Sequence, residues 1–298
     1  MSAPPALTRR RLMAGLPALL GAGAARAAEL VITLRAPEAA ADLRNTYIRD
    51  AVRLALQKTQ ASDGPFQLAV SAPMNKSRAL LESARQSVPN LLVATSPENG
   101  RQAGLVPVRF PIHLGVNRYR VCFVHAPRQA AVRATKSKDE LARLRMVQGR
   151  DWPDVPVLRA NGLNVAEVNT YEAMFELVAL GRADLFCRHV LEIGQEIHAH
   201  QGVAGLALDD SLLLSYDLPQ YLYTHPDNRA AIDRVERGLK LSFADGSLQA
   251  LMRRDLKPSL ARLRLPQRRL ITLDSPTPVR VEMDDRPFQI DLLRATRR

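Results

Sequence analysis

The segment NVAEVNTYEAMFELVALGRADLFC, residues 164–187, contains the pattern that decides the fold. Residues 164–168 predict a strand, and residues 170–180 predict a helix that begins behind a cap at Asn169 or Thr170. A second strand is predicted over residues 183–187. A strand, a helix and a strand in this order are typical of a parallel βαβ unit, in which helices cover the faces of the sheet.

The same alternation extends in both directions from this segment. Toward the N-terminus it predicts strands over 30–34, 66–70, 90–94, 119–125 and 145–148, with helices over 42–58, 77–85 and 138–144. Toward the C-terminus it predicts a long amphipathic helix over 228–241 and a short helix that ends near Arg254. The fold class is therefore α/β, with two parallel-type sheets flanked by helices. A chain of 298 residues is near the length at which one compact unit divides into two.

The N-terminal 27 residues have the architecture of a cleavable export signal. A basic region, Arg9-Arg10-Arg11, precedes a weakly apolar stretch over 14–25 that contains glycine and proline. The stretch ends in Ala25-Arg26-Ala27, a small-x-small cleavage pattern. Paired arginines before such a stretch resemble a twin-arginine signal. We therefore expect cleavage after Ala27 and a periplasmic mature protein.

Composition and charge exclude several classes of protein. The chain is 46% hydrophobic and 24% charged, as expected of a globular protein, and no later stretch is apolar enough to span a membrane. The export signal alone supplies four positive charges of the formal net charge of +12. The other basic residues are mostly interspersed with acids, and no nucleic-acid-binding signature occurs. We interpret the charge as a generally basic surface and expect no nucleic-acid partner.

The two cysteines, Cys122 and Cys187, both fall in predicted strands of the second series. An even count in an oxidising compartment permits one disulfide, and two buried free thiols are the equal alternative.

Three further segments, taken in order, resemble the amino-acid-type (family 3) periplasmic solute-binding proteins, which have the type 2 periplasmic-binding fold. The first runs from Thr95 through Arg101 to the crossing at 108–121, and the second spans 139–186 with Met146-Val147-Gln148-Gly149 and Leu180-Gly181-Arg182-Ala183-Asp184. The third spans 221–252 with Asp245-Gly246-Ser247-Leu248. This resemblance implies two lobes that close on a ligand: residues 28–112 with 206–264 form lobe 1, and residues 113–205 form lobe 2. Residues 265–298 are expected to be an extension that packs on lobe 1.

The resemblance also implies which residues bind the ligand. From lobe 1, Thr95 at the end of a strand and Arg101 after it are expected in the ligand site. Arg101 corresponds to the arginine that grips a ligand carboxylate in the family, although a solvated loop arginine is the alternative. Arg78 either adds a cation from lobe 1 or lies on a helix surface. From lobe 2, the ligand site is expected to include four consecutive residues at a helix start and one arginine after a strand: Gly149, Arg150, Asp151, Trp152 and Arg188. Asp151 is alternatively a plain helix cap, and Trp152 alternatively packs against neighbouring prolines.

One departure from the family bears on the ligand. Amino-acid binders often carry an acid just beyond the strand that ends here in Cys187, whereas this chain has Arg188-His189. We therefore expect a small polar, anionic ligand, delivered by a monomer to a membrane transporter or sensor. The alternative is an exported, dehydratase-like enzyme on the same fold that uses His189 and Glu192 as an acid/base pair. No cofactor or metal is predicted, because His198-x-His200 lacks further ligands.

The export signal gives a direct test. Replacing Arg9 and Arg10 together by lysine should leave the precursor in the cytoplasm, because the twin-arginine pair is read as a specific address. Fractionation followed by immunoblotting measures this, and continued export of the double variant would indicate the general secretory route instead.

Overall fold

The computed structural model describes Met1 and residues 29–37, 45–275 and 282–295. Apart from Met1, the predicted export signal lies outside the described residues and stays a prediction. Within the described ranges, no helix combines the length and the apolar character that a membrane crossing requires.

The strands form two separate sheets. In chain order they are β1 (Leu30–Ala36), β2 (Phe66–Pro73), β3 (Leu91–Thr95), β4 (Val106–Val108), β5 (Tyr119–His125), β6 (Arg145–Gly149), β7 (Asn164–Val168), β8 (Leu185–His189), β9 (Leu206–Leu208), β10 (Leu212–Ser215), β11 (Tyr221–Thr224) and β12 (Arg269–Thr272).

Helices flank both sheets. They are α1 (Thr46–Lys58), α2 (Gln60–Asp63), α3 (Lys76–Ala84), α4 (Pro97–Gln102), α5 (Gln129–Ala134), α6 (Lys138–Leu141), α7 (Asp154–Ala160), α8 (Tyr171–Ala179), α9 (Val190–Ala199), α10 (Arg229–Ala244), α11 (Ser247–Leu263) and α12 (Leu292–Ala295).

The first sheet has the order β2-β1-β3-β11-β4 and forms lobe 1. β1 pairs in parallel with β2 and β3, whereas β11 is antiparallel to β3 and β4. Helices α1 and α10 pack closely beside this sheet, because Gly238 lets them approach: a Cβ there would lie 2.2 Å from the carbonyl oxygen of Ala55.

The second sheet has the order β12-β10-β5-β8-β6-β7, with β9 also paired to β5, and forms lobe 2. Residues 164–187 contain β7, α8 and the first part of β8. Strand β6 lies between β7 and β8 and is parallel to both. Parallel strands place their carboxyl ends at one edge of the sheet, where ligands of open α/β sheets bind. This edge faces lobe 1.

Two strands within residues 206–264, which the resemblance assigns to lobe 1, and one strand of the C-terminal extension belong to the second sheet. β9 and β10 pair with β5, and β12 pairs in parallel with β10. The reason is burial: Leu212, Leu214 and Ile271 join the hydrophobic core that contains Cys122 and Cys187. The expected boundary of lobe 1 at residue 206 is therefore too early, and the C-terminal extension does not pack on lobe 1 alone.

Two helices also differ from expectation. α11 runs to Leu263 rather than ending near Arg254, and it contains Pro258. It continues because Leu256 and Leu263 bury their side chains in the main core. α9, which follows β8 directly, has no counterpart among the predicted helices.

The C-terminal segment 282–291 joins the lobes at the back of the hinge. Glu282 accepts hydrogen bonds from Arg101 in lobe 1, from Nε over 3.1 Å and from Nη2 over 2.9 Å. Phe288 packs on Phe110, with ring centroids 4.9 Å apart. Further along, Asp291 accepts a hydrogen bond from the hydroxyl of Tyr119 at the start of β5.

The contacts of Glu282 predict a stabilising role for this segment. The hydroxyl of buried Tyr223 also donates to Glu282 Oε1 over 2.7 Å, so Glu282→Ala removes the acceptor of a buried hydroxyl as well as the partner of Arg101. We expect the free energy of unfolding to fall by about 1–3 kcal/mol. Urea denaturation measures it, with exposed Asp233→Ala as the control; equal midpoints for the two variants would contradict this role.

Candidate functional site

A small cavity lies between the two sheets, beside the hinge, with a volume of about 50 Å³. Both lobes and both hinge connections contribute to its wall. The lining side chains with polar or aromatic chemistry are Arg35, Asn45, Lys76, His113, Trp152, Asp154, Arg188, His189, Glu192 and Gln220. We call this space the inner cleft.

Lobe 1 supplies two cations to the inner cleft. Arg35 lies near the end of β1, is 8% exposed, and donates from Nη1 to the carbonyl of Met74 over 2.9 Å. Lys76 is the first residue of α3, whose cap is Asn75. Among the described residues, the part of the lining that comes from lobe 1 contains no acid.

Lobe 2 supplies a buried charge network centred on Arg188. Its Nε donates to Glu196 Oε1 over 2.8 Å, and its Nη2 contacts Glu192. Glu196 also accepts a hydrogen bond from the hydroxyl of Tyr171 over 2.6 Å. Burial, only partly offset by Arg188, raises the pKa of Glu196. The guanidinium of Arg188 lies over the ring of Trp152, 4.7 Å from its centroid.

Asp154 lies at the other side of the lobe 2 wall and has its own partners. Arg120 Nε donates to Asp154 Oδ1 over 2.8 Å, and the hydroxyl of Tyr216 donates to the same oxygen over 2.7 Å. Although burial acts in the opposite direction, Arg120 and the hydrogen bond from Tyr216 hold the pKa of Asp154 below its usual value.

Two histidines meet at the inner cleft. His113 comes from the first hinge connection and His189 from the end of β8, with ring centroids 5.2 Å apart. His189 Nε2 lies 3.1 Å from Glu192 Oε2. His113 is 4% exposed, and its Nδ1 has no hydrogen-bond partner among the residues that the structure describes. Burial and the neighbouring His189 lower the pKa of His113 to about 3, so it is neutral at physiological pH.

Asp151 links the lobes across the mouth of the cleft. Its Oδ2 accepts a hydrogen bond from the hydroxyl of Ser77 over 3.2 Å, and its carbonyl accepts one from Asn99 Nδ2 over 3.2 Å. Both donors belong to lobe 1. The backbone of Asp151 is left-handed, with φ of 60°, a conformation that aspartate tolerates better than most residues.

Several residues expected in the ligand site lie in or beside the cleft. Trp152 and Arg188 line the inner cleft. Gly149, Arg150 and Asp151 line an adjoining pocket of about 180 Å³, where Arg150 Nε donates to Asn169 Oδ1 over 2.6 Å. Asp151 is not the helix cap that was the alternative, because α7 begins behind Pro153.

Three expected site residues lie elsewhere. Arg101 is paired with Glu282 on the C-terminal segment and does not line the inner cleft, so its expected role as the carboxylate grip stays a prediction. Thr95 is fully buried and does not line the inner cleft, whereas its neighbour Ala94 does, because successive side chains of a strand point to opposite faces. Arg78 is an exposed helix residue that pairs with Glu82.

Four residues that line the inner cleft were not expected there from the sequence: Arg35, Lys76, His113 and Asp154. The sequence carried a signal for Arg35 and for Lys76. Arg35 lies near the end of a buried strand, and Lys76 follows a capping asparagine. His113 and Asp154 carried none, because their place depends on the path of the hinge and on Arg120 from another strand.

The cysteines stand opposite each other on the neighbouring strands β5 and β8 and are bonded in the structure. In the described part of the chain, no group of three or more histidine, cysteine, aspartate or glutamate side chains could hold a metal ion.

Comparison with known proteins identifies the fold. No protein-family model matches the chain, and no curated protein does. An ancestral arginine-binding protein bound to arginine superposes with a TM-score of 0.54 at 11% identity, over 75% of this chain and 97% of that one. An amino-acid ABC transporter substrate-binding protein from Streptococcus pneumoniae, bound to L-arginine, gives 0.53 at 12% identity, over 77% and 94%.

A third solved structure has the same architecture. The GluR0 ligand-binding core from Nostoc punctiforme, in complex with L-glutamate, gives a TM-score of 0.51 at 14% identity, over 76% of this chain and 98% of that one. The predicted two-lobed type 2 periplasmic-binding fold is thereby confirmed, as is the resemblance to amino-acid-type solute-binding proteins at the level of the fold.

The depressed pKa of His113 gives a prediction about stability. Between pH 6.5 and 3 the unfolded chain binds a proton at His113 that the folded protein does not, so stability falls as the pH falls. At pH 5 the cost of His113 relative to pH 7 is roughly 2 kcal/mol. Urea denaturation at both pH values should show a smaller difference for His113→Gln than for the parent or for His198→Gln, which alters an exposed histidine. Equal pH dependence in all three would contradict it.

Proposed function

We propose that this protein is an exported solute-binding protein that captures a small polar ligand with an anionic group between its two lobes. The observation that carries the proposal is the inner cleft, a cavity whose wall is shared by both lobes and by both hinge connections. The fold adds support, because the solved structures that resemble it bind small ligands.

A ligand in this position would stabilise the closed form. It would touch Arg35 and Lys76 from one side and Trp152 and His189 from the other, contacts that exist together only when the lobes are closed. A ligand with higher affinity for the closed form shifts the population toward it. The hydrogen bonds that Asp151 accepts from Ser77 and Asn99 would further stabilise the closed form.

The charges of the wall support an anionic group on the ligand. In the described part of the chain, the lobe 1 side contributes Arg35 and Lys76 and no acid. On the lobe 2 side, Asp154 is paired with Arg120, and Glu192 shares Arg188 with Glu196. An anionic group directed at lobe 1 would therefore meet cations, and charge-assisted hydrogen bonds of this kind are among the strongest in proteins.

The position of the ligand can be tested with the single tryptophan of the chain. Because Trp152 lines the inner cleft, its fluorescence should report titration with carboxylates, oxyanions and amino acids. Lys76→Gln should weaken binding of the best anion by roughly 1.5–3 kcal/mol, about 10- to 150-fold, through loss of a charged partner.

Arg101→Ala is the matched control, because this arginine contacts Glu282 outside the cleft and should leave affinity unchanged. Absence of binding across the panel to ligand-stripped protein would contradict the proposed function. A loss with Arg101→Ala and none with Lys76→Gln would place the ligand elsewhere.

One observation favours a second candidate, an exported dehydratase-like enzyme. His189 and Glu192 lie 3.1 Å apart at the wall of the inner cleft, the arrangement of an acid/base pair. Mass spectrometry of the ligand after incubation with the protein separates the two functions. A ligand recovered unchanged supports binding alone, whereas conversion that disappears in His189→Gln would support the enzyme.

Delivery follows from the same proposal. The twin-arginine signal would place the mature protein in the periplasm, where the closed, ligand-loaded form would be presented to a membrane transporter or sensor.

A further inference from the structure

We infer that Trp152 and Lys76 together set the size of the ligand, and that the inner cleft accepts a compact oxyanion, such as a short-chain carboxylate, rather than an amino acid with a long side chain. This inference rests on the proposed function and adds the class of ligand.

Three cavities meet at these two residues. The inner cleft has a volume of about 50 Å³, the adjoining pocket about 180 Å³, and an outer groove between α3, α4 and α7 about 920 Å³. Among the described residues, only Lys76 from lobe 1 and Trp152 from lobe 2 line all three. They therefore stand as the partition between the small inner cleft and two larger spaces.

The indole of Trp152 is held firmly in this position. It packs against Gly149, where a Cβ would lie 2.4 Å from ring atoms, so only glycine at that position leaves room for the ring. Arg188 covers the ring at 4.7 Å from its centroid, and the ring of Phe186 lies 6.2 Å away. An aromatic ring fixed by packing and by a cation is a rigid wall.

The volume behind this wall sets the class of ligand. A space of about 50 Å³ holds roughly four water molecules, at 10–15 Å³ for each. A carboxylate or other oxyanion of similar size fits behind the partition beside Arg35 and Lys76. A longer side chain would have to pass through the position of the Trp152 ring to reach the outer groove.

The partition can be tested without knowledge of the ligand. Both native cysteines are bonded to each other, so Ala94→Cys places a single free thiol at the wall of the inner cleft. Its rate of modification by a bulky fluorescein maleimide is measured in three backgrounds: parent, Trp152→Phe and Trp152→Ala. The control thiol is Gln102→Cys in the outer groove.

We expect the thiol at position 94 to react at least about tenfold faster in Trp152→Ala than in the parent, since access then no longer requires lobe opening, and to change little in Trp152→Phe. The thiol at position 102 should react equally in all three backgrounds. Lys76→Ala, a change at the start of a surface helix, removes the other half of the partition and should accelerate position 94 as well. Equal rates at position 94 in every background would overturn the partition.

A series of anions of increasing length, together with the amino acid arginine, then tests the class of ligand. Thermal unfolding followed by circular dichroism should show stabilisation of the parent by acetate or glycolate and none by glutarate, adipate or arginine, whereas Trp152→Ala should gain the longer anions. Stabilisation of the parent by the long anions as strongly as by the short ones would overturn the size limit and leave the proposed function standing. If no anion stabilises any variant, the proposed function fails, and the thiol rates still decide the partition.

Discussion

The guanidinium of Arg188 is the interaction on which the candidate site depends. It is 5% exposed at the end of β8, where an uncompensated charge would be very costly. Two carboxylates, Glu192 and Glu196, compensate it from the next helix, and Trp152 covers its face. The same network fixes Glu192 beside His189 and holds the indole in the cleft. Arg188 therefore determines both the charge network of lobe 2 and the geometry of its wall.

The lobe 1 side of the cleft differs in charge from the lobe 2 side. Within the described residues its wall presents Arg35 and Lys76 and no acid, so the two halves of the wall differ in charge. Lobe 2 provides a packed wall whose charges are satisfied from behind, and lobe 1 provides cations. An anionic ligand, as proposed, would therefore meet the cations of lobe 1 while Arg188 stays engaged within lobe 2.

The C-terminal segment adds a constraint on lobe movement. β12 belongs to the second sheet, whereas Glu282 and Phe288 pack on lobe 1, and Asp291 returns to the start of β5. A protein of this fold closes by rotation about its hinge connections. The contacts of Arg101 and Tyr223 with Glu282 hold the C-terminal segment on the lobe 1 side of these connections.

The sequence by itself determined the alternation of strands and helices and therefore the two-lobed α/β fold, because apolar periodicity and helix caps act over a few residues. It also indicated Gly149, Trp152 and Arg188, which lie at the ends of predicted strands. Only the tertiary structure places Arg35 and Lys76 at the inner cleft and Arg101 against Glu282. The partner of Arg101 is a glutamate 181 residues away in the sequence, and which face of a strand end meets the cleft depends on the pleat and on the pairing of the sheet. The same reason applies to β9, β10 and β12, because only the burial of Leu212, Leu214 and Ile271 decides which sheet these strands join.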